Sequence, residues 1–134
     1  AAARETRLIR VLLAEDQAMV RGALAALLRL EPDLEVVGSV ADGETAWREI
    51  ARLAPDVVVT DIEMPEMDGY ELIARLDADP HLRTIPVFAV SSFENLAEKL
   101  APHTNVKGCF GKPWDEPMVL ATLSALLGTP AAAV

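Results

Sequence analysis

Residues 57–71 read VVVTDIEMPEMDGYE. Three valines and a threonine in succession are β-branched and form the strongest local signal for a buried strand in the chain. The run ends on a carboxylate, Asp61, and two further acids, Glu63 and Glu66, follow in the loop. An acid aimed off the end of an apolar strand needs a reason, and the neighbouring elements supply it.

Outward from this stretch, the pattern alternates between strand and helix. LIRVLLA (8–14), EVVGSV (35–40), DVVVT (56–60), IPVFAVSS (85–92) and VKGCF (106–110) read as strands. QAMVRGALAALLRL (17–30) has apolar residues at helical spacing and is stopped by Pro32, and GETAWREIARLA (43–54) is amphipathic and ends before Pro55. GYELIARLDA (69–78) and the short ENLAEKLA (94–101), cut off by Pro102, are helical as well. DEPMVLATLSALLG (115–128) is the last helix, with Asp115 as its cap, Pro117 in its first turn and Gly128 closing it. The expected organisation is an N-terminal extension at 1–7, one domain at 8–128, and a tail or the start of a linker at 129–134. The tail TPAAAV and the start on a residue other than Met lean towards a fragment of a longer chain.

Five strands alternating with five helices predict an α/β fold with a parallel sheet covered on both faces. Continuous apolar strands fit burial on both faces, and sheets of this kind place ligand sites at the carboxyl ends of their strands. Asp61 stands at that edge.

The totals narrow the function. With 134 residues, half of them hydrophobic and a quarter charged, the chain suits one globular domain. A formal net charge of −9 argues against direct nucleic-acid binding. His81 and His103 lie far apart and read as solvated loop residues rather than metal ligands. The single cysteine, Cys109, excludes an internal disulfide and fits a reducing compartment. The N-terminal AAARETRLIR has no apolar signal-peptide core, and no apolar run approaches the ~18–20 residues that span a membrane, so the expected place is the cytoplasm with no membrane partner.

At the carboxyl ends of the strands the sequence gathers Glu15 and Asp16, then Asp61, Ser91 with Ser92, and Lys112 with Pro113. Singly, each has an ordinary reading: an acidic pair before a helix, a serine cap, a loop-capping Asp, a solvated Lys-Pro turn. Their shared edge is what those readings do not explain. Clustered carboxylates repel, and a hard divalent cation such as Mg2+ removes the conflict. A carboxylate beside such an ion, with a lysine and a hydroxyl at hand, suits phosphoryl transfer through an acyl phosphate on Asp61.

With these motifs in place, LLAEDQ, VVVTDIEMPEMDGYEL, IPVFAVSS and GKPWD, the chain resembles the receiver domain of bacterial two-component response regulators over about residues 8–127. Its spacings of 45, 30 and 21 residues between Asp16, Asp61, Ser91 and Lys112 are close to the family's. The resemblance implies a flavodoxin-like doubly wound (βα)5 fold with strand order 2-1-3-4-5. It implies Asp61 as phosphoacceptor for a sensor histidine kinase or histidine phosphotransfer protein. Glu15, Asp16, Asp61 and the backbone carbonyl of Glu63 would hold Mg2+, with Mn2+ as a substitute; the Glu63 side chain stands where dephosphorylation is tuned. Ser91 and Lys112 would contact the phosphoryl group, and Pro113 would follow a cis peptide bond. Met19, Val20 and Ala23 belong to the helix face that receives the kinase, with core packing as the alternative for each, and Trp114 would border the site. A C-terminal output domain, such as a transcription regulator, and a homodimer are further expected partners; the chain itself would be no enzyme beyond its own phosphorylation and dephosphorylation. The first forty residues most resemble receivers with a LuxR-type output, whereas the acidic loop and fourth strand look like the stand-alone or hybrid-kinase type.

Three features depart from the family. Cys109 stands at the switch-aromatic position, and Phe110, one step on, faces the other side of its strand. Ser92 stands where alanine is usual, and the fourth helix is short. Two alternatives follow: a degenerate receiver acting as a phosphorylation-independent binding module, and a small Mg2+-dependent phosphatase. The phosphatase reading is weakened by Glu63, where an Asp is expected, and by the lack of a cap segment. A dinucleotide site is weaker still, because no G-x-G-x-x-G follows the first strand.

Overall fold

A computed structural model of the chain describes residues 8–92, 95–111 and 121. In chain order the elements are β1 (Ile9–Ala14), α1 (Ala18–Arg29), β2 (Leu34–Val40), α2 (Gly43–Leu53), β3 (Val57–Asp61), α3 (Gly69–Ala78), β4 (Val87–Ser91), α4 (Leu96–Leu100) and β5 (Val106–Gly111). The strands form one sheet in the order β2-β1-β3-β4-β5, every pair parallel. The parallel pairing is what the alternation of elements predicts, and the strand order is the flavodoxin-like one that the family resemblance implies. Ala121 is helical, and the rest of the helix expected at 115–128 lies outside the described residues.

Alternating strand residues divide the core in two. Leu12, Ala14, Val58, Val87 and Ala89 face α2, α3 and α4, where they meet Ala46, Ile50, Leu72, Ile73, Leu76, Leu96 and Leu100. Val11, Leu13, Val57, Val59 and Phe88 face α1 through Leu24, Ala25 and Leu28. β3 and β4 are buried along their whole length, as the apolar runs predict. β2 and β5 are only half-buried, because each lies at an edge of the sheet among the described residues.

Side chains set the ends of the helices. Asp42 accepts from the Thr45 amide at 2.7 Å and caps α2, and Asp68 accepts from the Glu71 amide at 2.9 Å and caps α3. α2 closes on Ala54 in the left-handed region (φ 46°), ahead of Pro55. Arg10 Nη1 then donates to the terminal carbonyls of Leu53 (2.8 Å) and Ala54 (3.0 Å).

Some expectations change. The strand expected from 85 begins at Val87, and Pro86, which has no amide proton, supplies only its carbonyl to Val58 N (3.0 Å). α4 is a five-residue helix rather than the eight expected at 94–101, starting after Asn95. Ser91 and Ser92 therefore do not cap it. His103 is half-buried, not solvated: its Nδ1 lies 2.9 Å from Asp77 Oδ2. No helix among the described residues is long and apolar enough to cross a membrane.

Candidate functional site

Register brings the acids together. β1 and β3 are neighbours with Ala14 opposite Thr60, so Glu15 and Asp61 leave the sheet side by side. On the other flank Asp61 pairs with Val90, which puts Ser91 one step away. Oxygens of Glu15, Asp16 and Asp61 all lie within 4.8 Å of one another. Glu15, Asp61 and Ser91 are fully buried, whereas Asp16 is exposed. Three hard oxygen donors at this separation fit a hard divalent cation, and the exposed Asp16 leaves one side open to water ligands. The group could therefore hold a metal ion.

Local backbone contacts fix this arrangement. Glu15 Oε2 accepts from the Gln17 amide (3.0 Å), and Arg21 reaches back from α1 to the Glu15 carbonyl (2.8 Å). The Glu63 amide points at Asp61 Oδ1 (3.3 Å), so the loop turns over the carboxylate. The Ile62 amide donates to Val90 (3.0 Å), and the Gly69 amide donates to Ile62 (2.9 Å), closing the loop onto the start of α3. A Cβ on residue 69 would fall 2.6 Å from the Asp61 carbonyl oxygen, so glycine is what permits this approach. At the loop tip Glu66 takes a left-handed backbone (φ 68°).

The Glu63 side chain does what its sequence position did not reveal. It crosses the edge and takes hydrogen bonds from Ser91 Oγ (2.5 Å), Ser92 Oγ (3.2 Å) and the Ser92 amide (3.4 Å). Next to it, a depression of about 530 Å³ is lined by Asp16, Glu63, Pro65, Asp68 and Tyr70. Burial, with the nearby charges of Glu63 and Asp68, raises the Tyr70 phenol above its ordinary pKa. Burial likewise raises the Cys109 thiol.

The remaining predicted residues separate. Met19 is 89% exposed and Ala23 is also on the surface, while Val20 is half-buried against the α1-side core. Of the three, Val20 is thus a packing residue. Cys109 packs on the α2–α4 side of the sheet, and Phe110 stacks on Phe88 on the other, 6.2 Å between centroids. Phe110 therefore does not replace the missing ring at 109. Lys112, Pro113 and Trp114 lie outside the described residues.

Comparison with known proteins agrees with this architecture. The model of the response regulator receiver domain matches residues 11–124, and the chain belongs to that family: it is a receiver domain, a phosphoacceptor module of two-component signal transduction. A protein-glutamate methylesterase/protein-glutamine glutaminase from Dechloromonas aromatica is 46% identical over 84 residues, which are 63% of this chain and 23% of that protein. Its namesake from Agrobacterium fabrum is 39% identical over 109 residues, 79% of this chain and 30% of that protein. The chain thus spans roughly a quarter of the length of these curated relatives. Among solved structures, a DNA-binding response regulator of the LuxR family from Staphylococcus aureus superposes with a TM-score of 0.81 at 31% identity, over 89% of this chain and 98% of that one. Receivers of this family interact with histidine kinases and with output domains. A complete acidic set within so extensive a match disfavours the degenerate binding module.

Proposed function

We propose that Asp61 is the phosphoacceptor and that Glu15, Asp16, Asp61 and the Glu63 carbonyl hold Mg2+, or Mn2+ in its place. The observation that carries this is the meeting of three carboxylates within 4.8 Å at the joined ends of β1 and β3. In the reaction an Asp61 oxygen attacks phosphorus, the O–P bond forms, and the bond to the donor's imidazole nitrogen breaks. An ion held by these residues would supply neutralisation of phosphoryl oxygens. The turn at Glu63 and the close approach at Gly69 hold Asp61 in one orientation, which is the positioning that such transfer needs. Ser91 is assigned the hydroxyl that meets the phosphoryl group, which its burial one residue from Asp61's strand partner supports; Lys112, next in sequence after Gly111, is assigned the balancing charge.

The donor is a histidine kinase or phosphotransfer protein docking on the exposed α1 face at Met19 and Ala23, close after the acidic pair. The receiver unit is taken as residues 8–128, acting in the cytoplasm on an output domain or a homodimer, and the chain is not an enzyme beyond its own phosphorylation cycle. The test is intact mass after incubation with Mg2+ and acetyl phosphate, with Asp61→Ala alongside. One labile phosphoryl group, absent in the variant, is expected. No gain in the folded, Mg2+-binding protein overturns the proposal.

A further inference from the structure

Two features beside Asp61 take no part in the phosphoryl transfer itself. The Glu63 carboxylate is engaged by the hydroxyls of Ser91 (2.5 Å) and Ser92 (3.2 Å). The Tyr70 hydroxyl oxygen is buried and has no hydrogen-bond partner among the described residues. Glu63 and Tyr70 line the same depression. A buried hydroxyl without a partner is unfavourable, so an arrangement that brings it an acceptor is favoured.

A serine hydroxyl has one proton to donate. If Ser91 turns to a phosphoryl group on Asp61, it leaves Glu63. The added phosphoryl charge also repels the Glu63 carboxylate from its side of the site. Tyr70, in the wall of the same depression, carries a hydroxyl that has no acceptor among the described residues. The ring of Tyr70 in turn carries Lys99 of α4 over its face, 5.6 Å from the centroid. It packs on the same core cluster as Cys109, which is too small to fill the place of a ring. Tyr70 therefore touches both the site and α4.

We infer that Glu63 is a two-position carboxylate, held by Ser91 and Ser92 when Asp61 is bare and by the Tyr70 hydroxyl when Asp61 is phosphorylated, and that Tyr70 passes the change to α4. This rests on Asp61 being the phosphoacceptor. Tyr70 is a positioning residue, acting through Glu63 and Lys99.

Tyr70 is the single tyrosine of the chain, so protein labelled with 13C at tyrosine Cζ gives one resonance that reports it. The spectrum is recorded with Mg2+ before and after acetyl phosphate, with the intact mass of the same sample. The expected result is a mass gain with movement of the resonance in the unaltered protein; Glu63→Ala, which keeps the backbone carbonyl assigned to the ion, is compared on the fraction that has gained the phosphoryl group, whatever its rate of gain, and there the movement is lost. A mass gain with a stationary resonance overturns the inference. So does an equal movement in Glu63→Ala, because Glu63 is then not the acceptor. Should Glu63→Ala fail to fold, Glu63→Gln keeps the shape and removes the repelled charge; it too is expected to lose the movement, and an undiminished movement overturns the inference. No mass gain in any sample overturns the phosphoacceptor reading, and the inference with it.

Discussion

Replacing Gly69 by alanine sets a new methyl group against backbone at the most constrained point of the site. The added Cβ lies 2.6 Å from the Asp61 carbonyl oxygen, 2.6 Å from Ile62 Cδ1 and 2.7 Å from Ile62 Cα. Two of these three atoms are main chain and cannot rotate away. Overpacking of this kind costs about 1–3 kcal/mol, and the rigidity of the neighbours puts Gly69→Ala near the upper end. The gain of helix propensity on replacing glycine, up to ~1 kcal/mol, offsets part of that at the first residue of α3. The expected net loss is about 2 kcal/mol, or a fall in Tm of roughly 8 °C at about 4 °C per kcal/mol for a domain of this size. Because the loop carbonyl and Asp61 must shift, the rate of acyl-phosphate formation falls too. Gly22 is the control. It lies inside α1 with nothing within 4 Å of an added Cβ, so Gly22→Ala is expected to gain about 0.5–1 kcal/mol. Urea titrations of both variants, read by far-UV circular dichroism, decide the matter. Equal effects of the two substitutions, or a Gly69→Ala as stable as the parent, would refute the reasoning.

Glu66→Gly relieves a left-handed backbone at φ 68° and is expected to stabilise the fold by about 0.5–1 kcal/mol after the entropy of glycine is counted; a loss of stability in urea contradicts this. Asp42→Ala removes acceptors for the Thr45 amide (2.7 Å) and hydroxyl (3.0 Å), with an expected loss of about 1–2 kcal/mol in the same titration. Cys109 should alkylate several-fold more slowly with iodoacetamide near pH 8 than a cysteine in a short peptide, because burial raises its pKa and depletes the thiolate. The folded state then holds this proton more tightly than the unfolded chain, so Cys109 draws stability down only as pH rises above the usual thiol value of about 8.5. Peptide-like reactivity in the folded protein would show the thiol to be accessible and unperturbed.

The fold was legible because strand and helix periods alternate cleanly, and because β3 announces itself through four successive β-branched residues. Element ends were less so: Pro86 trims β4, and α4 shrinks to Leu96–Leu100. The acidic site was legible because three of its residues sit at strand ends, which this topology gathers onto one edge. The grip of Glu63 on Ser91 and Ser92 was not, since those partners are 28 and 29 residues away and no periodicity links them. Tyr70 read as one more helix residue after the loop; its buried hydroxyl depends on how α3 packs beside Cys109. His103 gave no sign of its 2.9 Å contact with Asp77, 26 residues earlier, for the same reason.

The central claim is that the phosphoryl group sits on Asp61, and borohydride trapping tests it most directly. Borohydride reduces an acyl phosphate to an alcohol, so phosphorylated Asp61 becomes homoserine. Protein treated with Mg2+ and acetyl phosphate, reduced and digested, should give homoserine at position 61 and at no other acid. Homoserine at Asp16 or Asp68, 5-hydroxynorvaline at Glu15, or no reduced residue at all in protein that has gained a phosphoryl group, would contradict the account.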